Sequence, residues 1–374
     1  MKLRSAAVFF LIFLLSAGAF CGDLRIVLNS ASLTSVTVRA NDEFAVFVPG
    51  VFIPLTDTYR FTVKGGGIIV NGTECSGPVT VQPPTKEDFL RLDLSKGQEH
   101  IYRGALEVSK NGNLLRVVNV VNIEEYLLGV LPCEMSTGYP VEALKAQAVA
   151  ARTWSVANMN RHGKEGCNLC DGTHCQAYKG VNIESPDTSL AVWSTTGKVL
   201  LHGGKIASAM YCADCGGESQ DYRLISQTAP EYLKGGVEEP AEVPHILWSH
   251  RVALSEASAK LIAAKLIDTP LTDVSLAEKT KGGRVNALSL ITETGITLVR
   301  CDRFRTALGT YNLKTNLFTV ALEGDDLVFT GKGSGHGAGM GQIGCKYLAG
   351  KMGMSHDKIL LFYYPGVTLG QLEP

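Results

Sequence analysis

One stretch limits the possible folds more than any other: "YPVEALKAQAVAARTWSVANMNRHG", from Tyr139 to Gly163. Ala, Leu, Lys and Gln dominate it, and all are strong helix formers. Pro140 sits at a natural first-turn position, and Gly163 suits the end of the helix. Val141, Leu144, Ala148, Ala151 and Ser155 recur at three- or four-residue steps, which marks one buried face. On both sides the sequence reads as strands. Before it lie "LRIVLNS", "SVTVRA", "EFAVFV", "RFTVKGGGIIVNG" and "VTVQPP", punctuated by Gly, Asn and Pro. Asn71-Gly72 and Asn111-Gly112-Asn113 read as hairpin turns. After it come "GKVLLHGGKIASAMYCAD", a helix at "SEASAKLIAAKLI", a hairpin in "VNALSLITETGITLVR", a helix from Asp302 and a hairpin in "LFTVALEGDDLVFTGKG". Helices and strands do not alternate as in a doubly wound sheet. The expectation is therefore α+β: a mixed domain with a long central helix and several β-hairpins, plus a β-rich N-terminal region.

The 374 residues suffice for one large domain or two ordinary ones. Three segments are expected: a signal peptide over 1–19, the β-rich region over 23–118, and a second region over 119–374. Lys2 and Arg4 precede the apolar run "AAVFFLIFLLSAGAF", which is too short for a comfortable membrane span. Ala17 and Ala19 bracket Gly18 in a small-x-small pattern, so cleavage after Ala19 and export to the periplasm or cell envelope are expected. Cys21 offers a lipid anchor as an alternative, although the bulky Phe20 precedes it. Net charge is −1 with 19% charged residues, which gives no electrostatic reason to expect nucleic acid as a partner. With 45% hydrophobic residues, wholesale disorder is excluded.

Ten cysteines in an exported chain would suggest disulfides, but their spacing is not that of a stapled framework. Cys167, Cys170 and Cys175 cluster with His162 and His174, a donor set that fits metal. One disulfide with spectator side chains is the competing reading. Cys212 and Cys215 form a C-x-x-C pair that could close locally or bridge to Cys345 or Cys133.

"SGHGAGMGQIG" places Gly335, Gly337, Gly339 and Gly341 around His336. A phosphate cradle is excluded, because no βα unit follows and no Gly-Lys-Ser/Thr is present. The turn either presents His336 at a site or lets a bulky ligand lie close to the backbone. In "LPCEMSTGYP", Glu134 is expected in a turn between two helices, since the pattern of "IEEYLLGVLPCEM" stops at Gly129 and Pro132. Leu131, Pro132 and Met135 would desolvate its carboxyl group and raise its pKa, as a general acid requires. Lys145 and Arg152, seven residues apart, project from one helix face, either toward substrate or as a solvated stripe.

Together these segments resemble the stage II sporulation protein D/LytB family, which acts on bacterial peptidoglycan. The resemblance runs through "NVVNIEEYLLGVLPCEMSTGYPVEALKAQAVAARTWS", "CDGTHCQAYKG", "ASAMYCADCGGESQD" and "GSGHGAGMGQIGCKYLAGKMGM". It implies a lytic transglycosylase that cleaves the bond between N-acetylmuramic acid and N-acetylglucosamine and leaves a 1,6-anhydro end, with Glu134 as the acid. It implies Lys145, Gln147, Arg152, Tyr178, His336 and Gln342 as substrate-binding residues. It also implies a structural zinc site, expected at His162, Cys170, His174 and Cys175 with Cys167 as substitute. The family includes non-catalytic enhancers of N-acetylmuramoyl-L-alanine amidases, so the alternative is a glycan-binding enhancer with a cell-wall amidase as partner. A third possibility makes the cluster a zinc hydrolase centre. The cysteines at 212 and 215 depart from the residues expected in that turn, and Cys133 beside Glu134 is also unusual.

Overall fold

The computed structural model describes residues 23–29, 33–48, 50–94, 98–226 and 229–372. The expected signal peptide, its cleavage site and Cys21 lie outside the described residues. The fold is α+β, with helices and antiparallel hairpins gathered into separate sheets.

The N-terminal region supplies eleven strands of two six-stranded sheets, and the twelfth, Leu169–Cys170, pairs in parallel with Leu24–Val27. Both sequence-expected turns are present. Gly67–Val70 pairs with Thr73–Cys75 across Asn71 and Gly72, which hold φ of 46° and 90°. Ala105–Asn111 pairs with Leu114–Val121 across Gly112 and Asn113. The strand Leu114–Val121 crosses the expected boundary at 118/119 and leads through the cap Asn122 into helix α1 (Ile123–Glu134). The Asn122 side chain accepts from the Glu124 amide at 2.9 Å. Apolar residues of the sheets, such as Val38, Phe61 and Leu92, share one core with Leu127 and Leu131 of α1. They share it also with Leu144 and Val149 of α2 (Val141–Ala157). The sheets are therefore the bed on which the two helices lie.

Five further helices among the described residues matter here: α3 (Pro186–Trp193), α4 (Leu254–Ala263), α5 (Cys301–Leu308), α6 (Gln342–Gly350) and α7 (His356–Tyr363). Residues 247–332 form a unit with its own core, built on Trp248, Leu261, Leu288, Phe304 and Phe329. Two three-stranded sheets with α4 and α5 make this unit. It is inserted between strands Tyr211–Cys212 and Met340–Gly341, which pair in parallel with each other. The chain then returns as α6 and α7, which pack on α2.

Candidate functional site

Glu134 is the last residue of α1, not a turn residue between helices as the sequence suggested. Gly129 does not stop the helix. It lies where a Cβ would meet Tyr178 Cε2 at 2.7 Å and the Gly180 carbonyl at 2.8 Å, so it permits close packing. Pro132 is tolerated inside the helix, and Met135 ends it in extended conformation with its amide on the Leu131 carbonyl.

The Glu134 carboxyl group is half-buried in the wall of a cavity of about 370 Å³. Burial raises its pKa, while hydrogen bonds from Gln342 and Tyr211 pull the other way. Gln342 Nε2 lies 3.4 Å from Glu134 Oε2 and 3.4 Å from Gln147 Oε1. The Tyr211 hydroxyl accepts from Gln176 Nε2 at 2.7 Å, which leaves its own proton for the carboxylate. Gln176 is held in turn by Ser155 Oγ at 2.7 Å. Among the described residues lining this cavity, Glu134 is the only carboxylate.

His336 lines the same cavity and also a smaller one of about 140 Å³ toward the inserted unit, beside Arg305 and Asn316. Its Nδ1 accepts from the Ala338 amide at 3.0 Å, and its other ring nitrogen donates to the Tyr211 carbonyl. Burial pushes its pKa down to about 4, so the ring is neutral near pH 7. The glycines around it serve protein packing. A Cβ on Gly339 (φ 71°) would lie 1.9 Å from the Met210 carbonyl, and one on Gly337 (φ 78°) 2.7 Å from the Arg284 guanidinium. The glycines let the turn wrap closely against the strand that carries Tyr211.

Three expected substrate-binding residues point elsewhere. Arg152 is fully buried, with Nε 2.8 Å from Glu124 Oε1 and Nη2 2.5 Å from Glu124 Oε2. It also donates to the Lys198 carbonyl at 3.1 Å. Lys145 pairs with Glu142 at 2.8 Å, and Glu142 accepts from the His356 ring at 2.7 Å. The two cations do share one face of α2, but strand Lys198–His202 and α7 cover that face. The cavity lies on the other side, where Trp154 stands two residues, or about 200°, round from Arg152, followed by Asn158. Tyr178 is a core residue whose hydroxyl donates to Asn119 Oδ1 at 2.8 Å. Gln147 is completely buried, so it reaches the site only through Gln342. Tyr211 and Gln176 were not singled out from the sequence. Both stood in quoted motifs, but nothing local marks a strand tyrosine as a carboxylate partner.

His162, Cys170, His174 and Cys175 converge, with one donor atom from each inside 4.8 Å of the others. The separations are 3.3 Å for the two rings, and 3.8 Å and 3.6 Å from His174 Nδ1 to the Cys170 and Cys175 sulfurs. A tetrahedron with bonds of about 2.0–2.1 Å to nitrogen and about 2.3 Å to sulfur has edges of about 3.3–3.8 Å, so the donors fit a four-coordinate metal. His162 Nδ1 is oriented by Glu165 Oε1 at 2.8 Å. Cys167 is outside the group, with its sulfur 3.0 Å from Arg116 Nη2. His174 and Cys175 also line the Glu134 cavity. All nine described cysteines are free, including Cys212 and Cys215.

Residues 111–202 match the sequence profile of a family described as "Stage II sporulation protein". Residues 232–339 match one described as "Domain of unknown function (DUF8618)", which covers the inserted unit. An uncharacterised protein of Brachyspira hyodysenteriae is 32% identical over 269 residues, 72% of each chain. The "Stage II sporulation protein D" of Bacillus subtilis is 29% identical, over 75% of this chain and 83% of its own. The "Amidase enhancer" of the same organism is 28% identical over 65% of this chain, which spans only 40% of that protein.

Proposed function

The chain belongs to the stage II sporulation protein D/LytB family, and from that premise we propose that it is an exported peptidoglycan lytic transglycosylase. One observation carries the reading: a single desolvated carboxyl group, held by Gln342 and Tyr211, in a cavity whose described lining contains no second carboxylate. Hydrolytic glycosidases commonly use two carboxyl groups, one as acid and one as nucleophile or base. A lytic enzyme needs only one, because the nucleophile is the 6-hydroxyl of the muramyl sugar itself.

Glu134, whose protonated form burial favours, gives its proton to the glycosidic oxygen. The carboxylate left behind is steadied by the Tyr211 hydroxyl and the Gln342 amide. It then takes the proton of the 6-hydroxyl as that oxygen closes the 1,6-anhydro ring. Attack within one sugar supplies much of the rate through proximity. Neutral His336 acts as a polar wall of the cleft and not as a second acid.

His162, Cys170, His174 and Cys175 would hold zinc. With four protein donors the ion has no open position, so it supplies structure rather than a hydrolytic centre. It would fix the segment that brings His174, Cys175 and Gln176 to the cavity. A non-catalytic amidase enhancer is the second reading, favoured by the similarity to the B. subtilis "Amidase enhancer". Among the described residues no helix is long and apolar enough to cross a membrane.

The test is mass spectrometry of purified peptidoglycan after digestion by wild type and Glu134→Gln. The expected product is 1,6-anhydro-muramyl ends, reduced about 100- to 10,000-fold by the substitution. Undiminished strand scission by Glu134→Gln would sink the assignment. No scission by either protein, with stimulation of an amidase by both, would favour the enhancer.

A further inference from the structure

We propose that Asp214, Glu239 and His245 form a second metal site, for a divalent cation, at the root of the inserted unit. All three residues precede the inserted unit and meet where the outgoing segment passes them. Asp214 follows the strand Tyr211–Cys212, and its backbone pairs with that of Ser334 on the outgoing segment at 3.0 and 2.9 Å. Glu239 and His245 lie on the ingoing segment, before Leu247–Ala253.

The side chains of Asp214 and Glu239 have no exposed surface, and that of His245 is 4% exposed. His245 Nδ1 is 2.8 Å from Asp214 Oδ1 and 3.7 Å from a Glu239 carboxylate oxygen, Oε2. One donor atom from each of the three lies within 4.8 Å of the others. Asp214 is braced by the amides of Gly216 at 2.9 Å and Ile246 at 2.6 Å, so its carboxylate is preset.

The independent observation is Glu239. Its Oε1 accepts from the Tyr363 hydroxyl and packs on α6, where a Cβ on Gly344 would lie 1.9 Å away. The carboxylate therefore cannot swing out, and its other oxygen, Oε2, is left buried with no hydrogen-bond partner, aimed at His245. Among the described residues His245 is the only cation-forming group that ion-pairs with either acid. An imidazolium would neutralise one of the two carboxylates and leave the other charged and buried. A divalent cation with a neutral imidazole balances both. Two carboxylate oxygens and one imidazole nitrogen, completed by water, suit Mn²⁺ or Zn²⁺. Such an ion would tie the segment after Tyr211–Cys212 to the one entering the inserted unit, while the outgoing segment is held to Asp214 through the Ser334 backbone. It would hold that unit against the turn bearing His336 and, through Glu239, against the helix bearing Gln342. The site is separate from the cysteine cluster and stands whether or not the chain cleaves glycan.

The experiment is metal analysis by mass spectrometry on the full chain, loaded with Zn²⁺ or with Mn²⁺ and then dialysed. Glu239→Gln should lose one equivalent relative to wild type, and Cys170→Ser a different one, with both lost in the double variant. Anomalous scattering from wild-type crystals soaked in each metal should show an ion between Asp214, Glu239 and His245. Metal content unchanged in Glu239→Gln, or anomalous density at the cysteine cluster only, overturns the site and makes Glu239 a buried neutral acid. If Glu239→Gln fails to fold, the wild-type crystal decides alone.

Discussion

Replacing Arg152 by alanine separates two roles that sequence spacing cannot tell apart. As a glycan-binding cation on a helix face, Arg152 would raise KM when lost and leave folding untouched. In the structure it is buried against Glu124, with both guanidinium–carboxylate contacts made and further bonds to backbone carbonyls. Removing it leaves the Glu124 carboxylate buried, with only the Gly197 amide at 3.0 Å as a remaining hydrogen-bond donor. Breaking a buried pair from one side costs about 3–5 kcal/mol. At about 2–4 °C per kcal/mol, the melting temperature should fall by about 6–20 °C. The assay is thermal and urea unfolding of wild type, Arg152→Ala, Glu124→Gln and an Arg152→Met/Glu124→Gln double variant. The double variant should lose less than the sum of the single ones, because removing both charges leaves none unpaired. A melting temperature within about 1 °C of wild type, together with weakened glycan binding, would refute the structural assignment.

Four further outcomes follow from the site. Tyr211→Phe removes a donor to the Glu134 carboxylate, so the alkaline limb of the pH–rate profile should move to higher pH; an unmoved limb would remove Tyr211 from the site. The folded-state pKa of Glu134 is raised, so wild-type stability is fully present below the unfolded-state value and falls as pH rises through the folded one. Glu134→Gln lacks that loss, and its melting temperature should gain on wild type as pH rises above the ordinary glutamate range, while activity disappears. Chelation of bound metal should unfold residues 162–175 and lower the melting temperature; loss of activity with the fold intact would instead favour a catalytic metal. Gly339→Ala should cost more than about 1 kcal/mol in urea unfolding, from both positive φ and collision with the Met210 carbonyl.

Where the sequence carried short-range information, it was sufficient. The helix over Val141–Ala157, the Asn-Gly hairpins and the α+β class depend on local periodicity and turn chemistry, which neighbours in the chain determine. The convergence of His162, Cys170, His174 and Cys175 is also local, because all four lie within fourteen positions. Glu134 stood out because a carboxyl group among apolar residues near a helix end has no packing use, and it lies in the wall of the cavity. Tertiary structure decided what each face meets. The seven-residue spacing of Lys145 and Arg152 correctly gave a shared face, but only the placement of α7 and strand Lys198–His202 buried that face away from the cavity. The glycines around His336 announced a crowded backbone without naming the neighbour, since Tyr211–Cys212 pairs with Met340–Gly341 across an insertion that has its own core. Tyr211, Gln176 and the Asp214–Glu239–His245 cluster owe their placement to contacts between distant segments. Periodicity holds no record of such contacts, because it describes which side of an element is apolar and not which element comes to cover it.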